Sequence, residues 1–271
     1  SVVVTSARMT YDAIRYEVRD GVAHLTLHRP DDANAINDVM AADLLAAATE
    51  IEVDPTVRAV LLSGSGPRFS AGGDVKRFSE MLGGDLPDLM HGMLPSLHGA
   101  ITMLTRGKAP VICAVTGVAA GAGLGLVCAS DLVVSSESTK FVMAYTNIGL
   151  TPDGSSSWFL PRIVGVKRAL ELTLTNRVLT AAEALDLGIV TSVVPDDEVH
   201  DAAAALATKI AAGPTLAFAT ARRLMHTSLE DTLETHLARE ADGIIEAART
   251  NDAHEGITAF VEKRPPNFTG T

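Results

Sequence analysis

The sequence predicts an α/β fold built on a largely parallel sheet, and three observations carry that prediction. Short β-type apolar runs alternate with segments whose apolar residues recur at helical spacing. Glycines cluster where a strand would hand over to a helix, and after Pro195 the pattern is helical throughout. Taken in order, residues 14–18 and 22–27 alternate apolar and polar on either side of Asp20 and Gly21 and read as a β-hairpin. A helix follows, capped by Asn37 or Asp38, with the stripe Val39, Met40, Leu44, Leu45, Ala48 and Ile51; it stops before Asp54 and Pro55. Residues 57–62 read as a buried strand, 94–104 as a helix and 111–115 as a strand. A glycine turn then opens an apolar helix, and 132–135 form a further strand.

Between these elements, residues 81–91 hold Gly83, Gly84, Asp85, Pro87 and Asp88, and read as a mobile flap or a plain surface loop. Residues 155–164 read as a helix with Trp158, Phe159 and Ile163 on its apolar face. Helices are expected over 199–211, 215–225, 229–248 and 252–261. Within them Leu229, Leu233 and Leu237 share one side, for core packing or for a subunit contact. The expected organisation is an N-terminal extension over 1–9 that is disordered, a core over 10–198 and a helical region over 199–271.

Composition narrows the function classes. With 47% apolar residues the 271-residue chain can bury a large core, while a net charge of -11 argues against an extended nucleic-acid or anionic-membrane surface. No apolar stretch reaches the roughly twenty residues of a membrane span, and the first residues lack the apolar core of a signal peptide. Cys113 and Cys128 each lie in apolar runs, without metal-ligand spacing, as expected of reduced core thiols in a cytoplasmic protein.

The most telling segment runs from Val115 to Asp131, where Gly117, Gly121, Gly123 and Gly125 lead from an apolar strand into an apolar helix. Such a turn aims unpaired backbone N–H groups, at the positive end of a helix dipole, toward an oxygen that gains negative charge. A second glycine turn, Phe69 to Asp74, could supply an opposing donor. Two such donors make an oxyanion hole, which suggests thioester enolate chemistry. The glycine run does not fit a dinucleotide fingerprint, and no phosphate-binding P-loop occurs. Gly154, Ser155, Ser156 and Ser157 do not form the nucleophile elbow of a serine hydrolase.

Five segments in order resemble the crotonase (enoyl-CoA hydratase/isomerase) superfamily, covering nearly everything from Val22 to Phe268. They are His24–Pro30 with Asn34–Asn37, Gly64–Asp74, the glycine run, Ile148–Asp153 followed by Leu160–Gly165, and Gly256–Phe268. The resemblance implies a spiral of ββα repeats with a C-terminal helical trimerisation region, hence a homotrimer or a dimer of trimers. It also implies an acyl-CoA thioester substrate whose carbonyl is gripped by the N–H groups of Gly73 and Ala122. The family usually has glycine at the latter position, and a backbone donor survives the change to alanine. Coenzyme A enters only as part of the substrate, and no metal or further cofactor is expected.

The family's hydratases resemble this chain but carry two glutamates at the positions of Gly125 and Tyr145, and neither residue here is a carboxylate base. Asp153 instead follows Pro152 where those hydratases commonly have glycine, which looks like the ring-oxepin and double-bond isomerases of phenylacetate-type and dienoyl-CoA metabolism. By that likeness Asp153 would take a proton from one carbon and return it two carbons away; its other reading is a cap for the helix that follows. Leu150, Trp158 and Phe159 are expected around it. The Tyr145 hydroxyl would bond substrate or Asp153, unless the residue is simply a buried aromatic at a strand end.

Coenzyme A recognition is expected from backbone groups near Ala33, Ala35, Ala71 and Asp74, with Gly72, Val75 and Lys76 on the same surface. Phe260 and Lys263 would meet the adenine or 3′-phosphate, from a neighbouring subunit, unless Lys263 only serves the helix dipole. Met81, Met90, Met93 and Leu97 would suit a bulky apolar acyl group or belong to the core. The activity this implies is an acyl-CoA isomerase of fatty-acid-type metabolism. The alternatives are an enoyl-CoA hydratase with an atypical site and a non-catalytic acyl-CoA binder.

Overall fold

The computed structural model of the chain describes residues 10–271, so the expected extension over 1–9 lies outside the described residues. Two sheets are threaded alternately. The larger, six-stranded sheet has the order β1 (Ile14–Arg19), β2 (Val22–Leu27), β3 (Ala59–Gly64), β4 (Val111–Val115), β6 (Leu132–Ser136) and β9 (Ser192–Val194). Only the β1–β2 hairpin is antiparallel. The smaller sheet holds β5 (Val118–Ala120), β7 (Lys140–Val142) and β8 (Leu179–Thr180), and Ser70 bridges to its edge at Ala119. The chain therefore runs β3, Ser70 and helix, then β4, β5 and helix, then β6, β7 and helix. Each repeat passes from the large sheet to the small one and returns through a helix, which is the ββα spiral of the crotonase fold.

Period-two patterning explains why the central strands are buried throughout. In β3, Val60 and Leu62 face one side and Ala59 and Leu61 the other. The first side packs under α1 (Asp38–Val53) and α3 (Leu86–Arg106), with Leu25, Leu27, Met40, Leu44 and Leu97 at 0–1% exposure. Each such side chain contributes roughly 1.5–3 kcal/mol by leaving water. The second side lies against α8 (Val199–Ala211), where Val199, Ala203, Ala207 and Ala211 recur at four-residue spacing and let the helix approach closely. Asn37 starts α1, its Oδ1 accepting the Met40 N–H at 2.9 Å.

Several boundaries differ from the sequence expectation, each for a local reason. The strand expected from residue 57 begins at Ala59, because Val57 still donates to Asp54 O in the preceding turn. The helix expected over 94–104 runs from Leu86, since Pro87 sits in its first turn, where a missing N–H costs nothing. The supposed flap thus shrinks to residues 81–85. The helix expected from 229 starts at Leu233, where Thr232 Oγ1 accepts the Thr235 N–H. Among the described residues no single helix is long and apolar enough to cross a membrane. Cys113 and Cys128 are free and buried; burial raises both thiol pKa values, Cys128 to about 12.

Beyond α8, the helices α9 (Thr215–Thr227), α10 (Leu233–Ala248) and α11 (Asn251–Glu262) keep much apolar surface open. Leu229, Leu233 and Leu237 are 67%, 68% and 52% exposed, so they do not pack into this chain's core. Two arginines tie α9 to the core: Arg58, whose Nε donates to Thr215 Oγ1 at 3.1 Å, and Arg222. The Arg222 guanidinium bonds Asp131 Oδ1 at 2.9 Å and the carbonyls of Leu104, Thr105, Gly107 and Ala109 at 2.7–3.1 Å. One planar cation thus satisfies the C-terminal carbonyls of α3 and the turn into β4. Replacing Arg222 by Met leaves the Asp131 carboxylate without its cation and the carbonyls short of donors. Urea unfolding should show a loss of about 3 kcal/mol; a loss below about 1 kcal/mol would mean that α9 is held mainly by its other contacts.

Candidate active site

At the C-terminal ends of β3 and β4, three loops lie side by side through backbone hydrogen bonds. Phe69 N donates to Thr116 O at 2.9 Å, Ser70 N to Val118 O at 3.0 Å and Ala120 N to Ser70 O at 3.0 Å. On the other edge Ala71 N donates to Ala33 O at 2.9 Å, Ile36 N to Gly72 O at 2.7 Å and Asp74 N to Ile36 O at 3.0 Å. Successive peptide groups of an extended segment point opposite ways, so with residues 72 and 74 turned toward Ile36, the Gly73 N–H faces away from it. Ala122 is the first residue of α4 (Ala122–Ala129), where an N–H has no partner in the helix. Neither N–H is paired among the described residues, and both residues line one cavity of about 280 Å³.

Close approach of these loops depends on Gly72. It sits at φ +89°, and a Cβ there would lie 2.7 Å from Ala120 O. Buried side chains fix the rest. Ser70 Oγ donates to Asn34 O and accepts from Gly72 N, while Asn34 Nδ2 holds the carbonyls of Ser65 and Arg68 at 2.8 Å. Asp74 caps α2 (Val75–Glu80) by accepting the Arg77 N–H, and its other oxygen pairs with Arg29 at 2.8 Å. Arg29 and Asn34 fall in the motif segments, but no local pattern marks them as the fasteners of this loop set.

The cavity is walled by Phe78, Met90, Met93, Leu94 and Leu97 on one side and by Ile148 and Leu150 on another. Among the described residues Asp153 is the only carboxylate that lines it, and no cationic side chain does. Asp153 is half-buried and does not cap α5 (Ser156–Val164), which lacks a side-chain cap. Its Oδ1 instead accepts the Tyr145 hydroxyl at 2.6 Å. Burial raises the Tyr145 phenol well above its usual range, and the adjacent Asp153 charge adds to the shift, so it stays protonated and is always the donor.

Other expected neighbours lie elsewhere. Trp158 and Phe159 line separate hollows between α5 and α9, and of the three apolar residues expected around Asp153 only Leu150 shares its cavity. Met81 is not part of the wall, whereas Met90, Met93 and Leu97 are. Ala71 and Val75 line the cavity; Ala33, Ala35, Gly72, Asp74 and Lys76 form the adjoining loops and the start of α2. The Ala33 and Ala35 carbonyls already accept the Ala71 N–H and the Arg29 guanidinium, each keeping a second lone pair. Phe260, 85% exposed, and Lys263, at the C-terminus of α11, do not reach the cavity within this chain. No group of three or more His, Cys, Asp or Glu is placed to hold a metal among the described residues.

Comparison with known proteins gives one family and, within it, both hydratase and isomerase names. The family model described as enoyl-CoA hydratase/isomerase matches residues 17–271. The 1,2-epoxyphenylacetyl-CoA isomerase of Escherichia coli (strain K12) is 39% identical, the match covering 93% of this chain and 97% of that one. The trans-2-decenoyl-[acyl-carrier-protein] isomerase of Streptococcus mutans is 30% identical, covering 97% and 100%. Among solved structures, an enoyl-CoA hydratase from Polaromonas sp. JS666 superposes with a TM-score of 0.90 at 32% identity, covering 95% of this chain and 100% of that one.

Gly125 shows why a carboxylate cannot simply be added on α4. A Cβ there would lie 2.2 Å from Gly154 O, in the loop that carries Asp153. Gly125→Ala should therefore cost about 1–3 kcal/mol in chemical denaturation, because the loop has to move aside. Gly125→Glu should be at least as destabilised and should gain no water-adding activity toward crotonyl-CoA; a stable, water-adding variant would show that the loop yields.

Proposed function

The chain belongs to the enoyl-CoA hydratase/isomerase family, and on that footing we propose that it is an acyl-CoA isomerase that moves a double bond, or rearranges a ring, through a thioester enolate. One observation carries the reading: among the described residues, the cavity lined by Gly73 and Ala122, whose N–H groups have no partner there, holds a single carboxylate, Asp153. Water addition by a glutamate pair has no counterpart here, because the matching positions are Gly125 and Tyr145. The isomerase names of two relatives agree with this reading, while other relatives and a structural neighbour carry hydratase names, which agree with the family and with the alternative of a hydratase with an atypical site.

The chemistry follows from acidity. A proton α or γ to a thioester is only weakly acidic until the conjugate enolate is stabilised, and donors fixed in a dry site do this best. Gly73 and Ala122 would hold the carbonyl oxygen as it gains charge, aided by the N-terminus of α4. Asp153 would accept the proton, keep it while the enolate persists and deliver it to the second carbon. The loops of Ala33, Ala35, Ala71, Gly72, Asp74, Val75 and Lys76 would bind the coenzyme A portion. The acyl group would lie against Met90, Met93 and Leu97.

Self-association belongs to the same proposal. A homotrimer or dimer of trimers would cover Leu233, Leu237 and Ile244, which are 68%, 52% and 70% exposed, and would carry Phe260 and Lys263 to a neighbour's coenzyme A. The largely apolar lining, with no cationic side chain among the described residues, suits an uncharged acyl group.

Asp153→Asn tests the assignment. Double-bond migration across a panel of unsaturated acyl-CoAs, followed with deuterium wash-in, should fall by about 10²–10⁴-fold while acyl-CoA affinity stays nearly unchanged. Retained migration would refute the role of Asp153. Incorporation of heavy oxygen from labelled water into crotonyl-CoA would mark a hydratase, and binding without turnover would mark a binder.

A further inference from the structure

Tyr145 stands where the family's hydratases have a carboxylate, yet its hydroxyl serves Asp153 rather than open space. The ring is 8% exposed. Its backbone is fixed at both ends of a short turn: Tyr145 N donates to Met143 O at 2.8 Å, and Tyr145 O accepts Leu150 N at 3.1 Å. The hydroxyl lies 2.6 Å from Asp153 Oδ1 and 3.2 Å from Asp153 O. A phenol has one proton to give, and the shorter, charge-assisted bond to the carboxylate takes it. Oδ2 has no hydrogen-bond partner among the described residues.

We propose that Tyr145 is a positioning residue that pins Oδ1 of Asp153, so that Oδ2 alone carries the proton between the two carbons. The proposal rests on the isomerase reading above. In the first step the C–H bond at the donor carbon breaks, its electron pair passes into the enolate and a bond forms between the proton and Oδ2. In the second, that O–H bond breaks and the enolate's electrons form a C–H bond two carbons along, restoring the carboxylate with no change of oxidation state. A carboxylate free to swing would present its proton to entering water or offer either oxygen. Pinned at Oδ1, it holds the proton against the face of the acyl chain from which it came. Proton removal and return on one face, with little loss to solvent, is the expected outcome. Because the phenol is held protonated by burial, it does not compete as a second base.

The test is label retention in the product of a substrate deuterated at the donor carbon, together with kcat and KM. The wild-type protein should keep most of the label. Tyr145→Phe preserves the buried ring and removes only the hydroxyl; kcat should fall about tenfold, KM should change little and label retention should drop several-fold. A Tyr145→Phe protein with wild-type kcat and retention overturns the proposal, as does one whose KM rises in step with the loss of kcat at unchanged retention. If the variant does not fold, the wild-type measurement decides: retained label supports a held proton, and complete wash-out during turnover overturns it. Absence of turnover in the wild-type protein would instead overturn the isomerase reading.

Discussion

The site depends on a backbone ladder that joins the loop after β2, the loop after β3 and the turn after β4. Six main-chain hydrogen bonds of 2.7–3.0 Å tie residues 33–36, 69–74 and 116–120 together. Their pairing turns the peptide before Gly73 away from its neighbour. The helix start at Ala122 does the same for the second donor by a different route, since its N–H has no preceding turn to bond. Among the described residues both N–H groups are thus left without a partner, on two residues that line one cavity. Side chains only secure this: Asn34, Ser70 and the Arg29–Asp74 pair fill the ladder's edges. Donors set in place before reaction need no reorganisation when charge develops, which is where such sites gain most.

Around that ladder the choice of chemistry is steric as much as chemical. The loop of Asp153 and Gly154 lies so close to α4 that Gly125 has no room for a side chain. A side chain projecting from α4 at position 125 would collide with the backbone at Gly154, next to Asp153. Among the described residues that loop brings one carboxylate, Asp153, against the cavity, and the Tyr145 hydroxyl donates to it. Exclusion of a side chain at one glycine therefore limits which acids the site can hold.

Much of this was legible in the chain itself. Alternation marked β1 and β2, continuous apolar runs marked β3 and β4, and helical stripes marked α1 and α8. The glycines at 72, 73 and 121, with Ala122, marked two turns that meet at one cavity, and Asp153, singled out beside Pro152 by the family likeness, lies in the wall of that cavity. The boundaries were less legible: Pro87 looked like a loop residue but opens α3. Contacts between distant segments were not legible at all. Nothing near Tyr145 says whether its hydroxyl meets Asp153 or substrate, and Trp158 and Phe159 are sequence neighbours of Asp153 that turn to the far side of α5. Leu229, Leu233 and Leu237 showed a shared face but not that this face is left open in the single chain.

A crystal structure with an unreactive acyl-CoA analogue tests the central claim most directly. The thioester carbonyl oxygen should lie within about 3 Å of both the Gly73 and Ala122 nitrogens, with the α- and γ-carbons facing Asp153 Oδ2. A carbonyl bound away from either nitrogen, or an acyl chain whose reacting carbons point away from Asp153, would contradict that claim.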